Sequence, residues 1–200
     1  MFRKRIVVTL VASVASLAIP AFSQSEELGR NEVSVQAFGS FLKSTTSDGV
    51  RNSATNSGGV LGSYRYFFNA HSGVEANYGY ALNTQNYQLS SGAVGVKSYS
   101  HEISAAYVFR IPMKRFTPFV SAGAAALIFD PKDFQGADSQ TRAGFVYGGG
   151  ADFKVSSHIF MRAEYRGFVY NSPTYNLTSL DGTDRITHRA EPSIGFGYRF

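Results

Sequence analysis

After Arg30 the apolar residues of this chain recur mainly at alternate positions, the spacing of a strand whose two faces meet different surroundings. A helix would need them three and four apart, and no segment past residue 30 offers that spacing convincingly. Residues 32–41 set Val33, Val35, Ala37 and Phe41 against Ser34, Gln36 and Ser40, and residues 59–68 set Val60, Tyr64, Tyr66 and Phe68 against Ser63 and Arg65. Residues 73–82 oppose Val74, Ala76, Tyr78, Tyr80 and Leu82 to Glu75 and Asn77, and residues 98–109 oppose Tyr99, Ile103, Ala105, Tyr107 and Phe109 to Glu102, Ser104 and Ala106. In 143–153, Phe145, Tyr147, Ala151 and Phe153 face away from Gly148, Gly150 and Asp152; in 158–169, Ile159, Met161, Ala163, Tyr165 and Val169 face away from Arg162, Glu164 and Arg166. The last, 189–200, sets Ala190, Ile194, Phe196, Tyr198 and Phe200 against Arg189, Glu191, Ser193 and Arg199. Residues 117–129 alternate Ser121, Gly123 and Ala125 with Ala122, Ala124 and Ala126, so small a difference that the two faces cannot be told apart. Eight strands are expected.

Composition narrows the function classes. Charged residues are 16% of the 200 positions while Tyr numbers 12 and Phe 17, the reverse of a disordered chain's balance. The absence of cysteine excludes a disulfide scaffold, a thiolate metal site and a cysteine nucleophile. His71, His101, His158 and His188 lack the close spacing of metal ligands, and no cofactor motif is present. The formal charge is +5, but Arg3, Lys4 and Arg5 supply three of it, leaving +2 on the rest. Nucleic-acid binding, which needs a basic patch on the working surface, is not expected.

Those three cations open a leader. Ile6 to Ile19 is apolar apart from small hydroxyl residues, and Ala21 and Ser23 stand at −3 and −1 of a cut before Gln24. This is the pattern of a secretory signal peptide, and the apolar stretch is short of the roughly 20 residues of a spanning helix. Residues 1–23 are read as a cleaved leader and 24–200 as the mature domain. No later stretch is long enough to cross a membrane as a helix, so the mature chain is either soluble outside the cytoplasm or spans as strands.

The connections alternate in length. Those at roughly 42–57, 83–97, 130–142 and 170–188 are long and polar; those at 69–72, 110–116 and 154–157 are short. Antiparallel neighbours would gather the long ones at one end, as in up-and-down outer-membrane barrels. Polarity then decides between lipid and water. The polar faces carry Arg65, Arg162, Arg166, Arg189 and Arg199 against Glu75, Glu102, Asp152, Glu164 and Glu191, with no Lys, a composition suited to enclosed ion pairs. Aromatic residues crowd the strand ends of the apolar faces, as at Tyr66 and Phe68, Tyr78 and Tyr80, or Tyr107 and Phe109. Membrane interfaces favour such girdles. Closure into a barrel is the one arrangement that leaves no unpaired strand edge in lipid. The expected fold is therefore all-β: an eight-stranded antiparallel up-and-down transmembrane β-barrel, apolar face outward. A secreted soluble barrel around a small apolar ligand is the competing reading.

The chain ends Ser193-Ile194-Gly195-Phe196-Gly197-Tyr198-Arg199-Phe200. Ser193, Gly195, Tyr198 and Phe200 resemble the terminal assembly signal of bacterial outer-membrane barrels, and Tyr147–Asp152 with Arg162–Arg166 resemble a penultimate hairpin of the same family. Over the whole mature chain the sequence is similar to the outer-membrane protein beta-barrel domain family, which includes the barrel of outer-membrane protein A. The resemblance implies an outer-membrane location, contact with lipid and lipopolysaccharide, and passage through periplasmic chaperones and the barrel-assembly machinery. With no peptidoglycan-binding segment following Phe200, a cell-wall tether is not expected.

An eight-stranded lumen filled by paired ions implies a plugged barrel with a structural, envelope or surface-contact role. Two alternatives are a narrow gated conduit and an enzyme acting on lipid A. For the enzyme, His101 and His188 lie near Ser100, Ser104, Glu102 and Asp184, but alternation turns His101 away from Ser100 and Glu102, which argues against a local triad. The long connections carry Lys43, Asp48, Arg51, Asp130, Asp133, Asp138, Asp181, Asp184 and Arg185 without a motif that picks a partner or an oligomeric state.

Overall fold

A computed structural model describes residues 29–42, 45–47, 50–54, 57–89, 92–132, 139–171 and 186–200. The leader with Ala21, Ser23 and Gln24 lies outside the described residues, as do Lys43, Asp48, Asp133, Asp138, Asp181, Asp184 and Arg185.

The strands are β1 Asn31–Leu42, β2 Thr45–Ser47, β3 Val50–Ala54, β4 Ser57–Phe67 and β5 Ser72–Leu89. They continue with β6 Gly92–Arg110, β7 Phe116–Lys132, β8 Gln140–Lys154, β9 Ile159–Asn171 and β10 Ile186–Arg199. No helix occurs among the described residues. Eight of the strands form a ring in the order β5-β4-β1-β10-β9-β8-β7-β6, and the β5–β6 pairing closes it. Every pairing is antiparallel. Closure satisfies every strand edge at membrane depth, which lipid demands because it offers no hydrogen bonds of its own.

The strands run longer than the apolar alternation suggests. Within 83–97, expected as a long loop, residues 83–89 and 92–97 are paired strand: Asn83 opposite Ser98, and so on to Leu89 opposite Gly92. The 42–57 connection holds β2 and β3, with β3 pairing its Arg51–Ala54 against Gln85–Gln88 of β5. Both segments continue the sheet beyond the stretches whose apolar alternation is clear in the sequence. Hydrogen bonding continues after the sequence pattern stops. The short connections, at residues 68–71, 111–115 and 155–158, all lie at the end where β1 begins and β10 finishes. There Asn31 and Phe200 exchange backbone hydrogen bonds of 3.1 and 2.9 Å.

The faces sort as alternation requires. Val35, Val60, Ile194 and Phe196 are among the most exposed apolar residues, while Arg162 and Glu191 are fully buried. The structure also resolves β7: Thr117, Phe119, Ala125, Leu127 and Phe129 point inward, and Val120, Ala122 and Ala124 outward. Alanine and glycine on both sides had hidden that difference.

Candidate functional site in the barrel lumen

The lumen is built from alternate residues of all eight ring strands, and its polar content is concentrated in ion pairs. Arg65, Glu75, Glu102, Asp152, Arg162, Glu164, Arg166, Arg189 and Glu191 are buried there, and Arg199 sits half-buried at the short-turn end. Two further members, Glu32 and Arg110, belong to the same set. Both occupy inward positions of their strands, in phase with Ser34 and Gln36 or with Glu102 and Ser104, and the sequence reading missed them because each stands at a strand's first or last turn of the pattern.

Toward the short turns the charges form one group. Arg162 donates from Nε and Nη2 to the two oxygens of Asp152 at 2.7 and 2.8 Å, a bidentate pair, and from Nη2 to Glu32 at 3.0 Å. Glu32 also accepts from Arg110 at 2.5 Å and from Arg199 at 2.8 Å, so one carboxylate gathers three guanidinium groups. Arg65 is paired with Glu75 and lies 3.6 Å from Glu164. Strand register sets these partners: Arg65 stands directly opposite Glu75, and Asp152 opposite Arg162. Gln36 then links Glu164, to which it donates, and Ser193, from which it accepts.

Farther along the barrel a second group closes on itself. Arg166 Nη2 meets Glu102 at 2.5 Å and Glu191 at 2.7 Å; Arg189 meets Glu102 at 2.5 Å from Nη2 and Glu191 at 2.9 Å from Nε. The result is a four-membered cycle of alternating sign spanning β6, β9 and β10. Arg166 and Glu191 are cross-strand partners, whereas Glu102 reaches the cycle from across the lumen. Its register partner on β5 is Gly79, where an added Cβ would stand 2.4 Å from Glu102 Cγ, so glycine leaves the space this side chain occupies.

Aromatic rings complete the packing. The Arg110 guanidinium lies 3.4 Å from the centre of Phe67, Arg65 3.9 Å from Phe119 and Arg189 4.8 Å from Phe168. A stacked guanidinium keeps its edge donors for carboxylates while its face covers a ring. Phe67, Phe119, Phe160 and Phe168 are therefore lumenal, a role that apolar alternation does not announce because these residues share a face with charges. Six arginines (65, 110, 162, 166, 189, 199) meet six carboxylates (32, 75, 102, 152, 164, 191), so the paired lumen is neutral.

The two histidines considered for catalysis point the other way. His101 lies on the outer face with Ile103, opposite to buried Ser100 and Glu102, and its Nδ1 is 2.8 Å from the Tyr78 hydroxyl. His188 Nε2 is 2.7 Å from the Tyr147 hydroxyl. At the C-terminus Ser193 points into the lumen, Gly195 packs against β1, Tyr198 faces outward, and Phe200 seals the β1–β10 seam.

Residues 9–200 match the family described as outer membrane protein beta-barrel domain. The chain belongs to that family. Among curated proteins, none matches it by sequence. Among solved structures, this outer-membrane barrel superposes on Neisserial surface protein A with TM-score 0.62 at 16% identity, over 88% of this chain and 100% of the other. It superposes on OprG of Pseudomonas aeruginosa with TM-score 0.61 at 16% identity, over 87% and 97%. For Ail, the attachment invasion locus protein of Yersinia pestis, the TM-score is 0.56 at 21% identity, over 87% and 100%. Identities this low establish a shared fold. The protein is an integral β-barrel of the outer membrane, with lipid against its apolar face, and the soluble-carrier alternative falls away.

Proposed function

We propose that this barrel is a non-conducting membrane scaffold, its lumen plugged by arginine–carboxylate pairs and its long connections turned to the cell's surroundings. The cycle of Arg166, Glu102, Arg189 and Glu191 carries the reading, because it bridges the lumen from β6 to β9 and β10. Eight strands enclose a space just wide enough for side chains. Opening an aqueous path would mean separating buried pairs that also pack against lumenal rings. Purified protein in a planar bilayer is expected to give no large, stable conductance steps; sustained openings would refute the plug.

An enzymatic role is not part of the proposal. A nucleophile needs a base within hydrogen-bond reach and a third group orienting that base. His101 and His188 are instead partnered by tyrosines on the lipid-facing surface. Biogenesis follows from the termini: export through the leader with cleavage between Ser23 and Gln24, escort by periplasmic chaperones, and recognition of Ser193, Gly195, Tyr198 and Phe200 by the assembly machinery. Lipopolysaccharide is the proposed neighbour of the outer connections. Ail has been solved in complex with the heparin analogue sucrose octasulfate, which supports surface contact as a use for this fold.

A further inference from the structure

Two of the chain's four histidines, His101 and His188, are strand residues on the lipid-facing surface; His71 and His158 belong to the short turns. Along β6, His101 lies eight residues from Phe109, and along β10, His188 lies ten from Tyr198, both of them exposed rings at the short-turn end. At about 3.3 Å per residue and a tilt of about 40°, those intervals rise about 20 and about 25 Å. The apolar band of an outer-membrane barrel is about 25 Å tall and its short turns are periplasmic, so both imidazoles stand at the headgroup level of the outer leaflet.

Each imidazole is oriented by a tyrosine. His101 Nδ1 is 2.8 Å from the Tyr78 hydroxyl, and its ring centroid is 5.1 Å from that of Tyr80. His188 Nε2 is 2.7 Å from the Tyr147 hydroxyl, although Tyr147 belongs to β8 and β9 runs between them. Gly167 of β9, the register partner of Tyr147, permits that crossing: a Cβ there would stand 2.5 Å from Tyr147 Cζ. The second ring nitrogen, Nε2 of His101 and Nδ1 of His188, has no protein partner among the described residues and is left to the lipid.

We propose that His101 and His188, each set by its tyrosine, are acid-strengthened binding points for the phosphate groups of outer-leaflet lipid. Lipopolysaccharide as the barrel's outer neighbour supplies that lipid, a reading this site rests on, and the contact moves from the connections to the barrel wall. A neutral imidazole has one N–H; the imidazolium has two and a positive charge, so mild acid lets each ring serve tyrosine and phosphate at once. Around His101 the titratable groups are Tyr78 and Tyr80 of β5, Tyr99 of β6 and Asp130 of β7, exposed one outward position beyond the register partner Ile128. β6 and β7 then continue to the register pair Lys97 and Lys132. Around His188 they are Tyr147 and its neighbour Tyr165; β9 adds Val169 and Gly167, and β1 adds Phe41.

The test uses the full mature chain, folded in nanodiscs of phosphatidylcholine with a minor share of phosphatidylglycerol, with bound lipids counted by native mass spectrometry. The phosphodiester of that probe does not titrate where imidazole does, so a change with pH reports the protein. Lowering the pH from about 7.5 to about 5.5 should raise phosphatidylglycerol enrichment about fivefold for each imidazolium in contact. The rise should persist in H71Q with H158Q, which removes the imidazoles of the short-turn end. Adding H101Q and H188Q to that variant should abolish it, and adding H101R and H188R instead should hold the enriched level at both pH values, with folding checked by heat-dependent mobility. No rise in the wild type, a rise lost with His71 and His158, or a rise that survives H101Q and H188Q, as neutralisation of Asp130 would produce, overturns the site. If the rise is absent while lipopolysaccharide still co-purifies from outer membranes, the site falls and the neighbour stands.

Discussion

Arg162 and Ala163 are neighbours on β9 and face opposite media. Arg162 is fully buried against Asp152 and Glu32, and Ala163 lies on the lipid side between Ala151 and Ile194. Each position therefore rejects what the other requires. Arg162→Met would leave the Asp152 carboxylate without its bidentate partner, at a cost of about 3–5 kcal/mol. Ala163→Arg would place a cation in hydrocarbon, at about 2–4 kcal/mol near the midplane. Both variants should lose folded electrophoretic mobility at lower urea than wild type. Near-neutral behaviour at Ala163 would mean that this face does not meet lipid. The alternation of β9 makes this contrast visible from the sequence, but not the identity of Arg162's partners. Asp152 is one hairpin away, whereas Glu32 lies 130 positions distant and reaches it only because the ring closes.

At the scale of elements, β10 joins the two ends of the chain. It pairs with β9 and with β1, so without it the sheet would present two unpaired edges to lipid. Gly195 allows the close approach this seam needs, since a Cβ there would stand 2.0 Å from the Val35 carbonyl oxygen. The backbone hydrogen bonds between Asn31 and Phe200 finish it. Deleting Phe200 should lower the amount of protein reaching the outer membrane while export to the periplasm continues, as read by fractionation and immunoblotting. Unchanged outer-membrane levels would sink the terminal-signal proposal. Within the band of lipid, strand positions were readable because one face had to be apolar. Outside it they were not: the extensions of β5 and β6 and the small strands β2 and β3 follow backbone pairing, which by itself leaves no period in the sequence.

For the whole molecule, closure makes the barrel a single cooperative unit around a lumen of paired charges. Six arginines and six carboxylates pair inside it. A ring with every strand paired on both sides resists partial opening, so the protein should run at different mobilities in SDS with and without boiling. It should also stay with the membrane through carbonate and high salt. Release by carbonate, with one mobility under both conditions, would be incompatible with an integral closed barrel.

The sequence by itself determined the strand count of the ring, the outward face of seven of its strands and the presence of paired charges on the other, because lipid imposes a period of two. Only the tertiary structure decided which charges meet, that Glu32 and Arg110 join them, that phenylalanines stack on the lumenal arginines, and which way β7 faces. Those outcomes depend on register and on contacts across the lumen, and both are consequences of closing the ring, a constraint no local stretch of sequence contains.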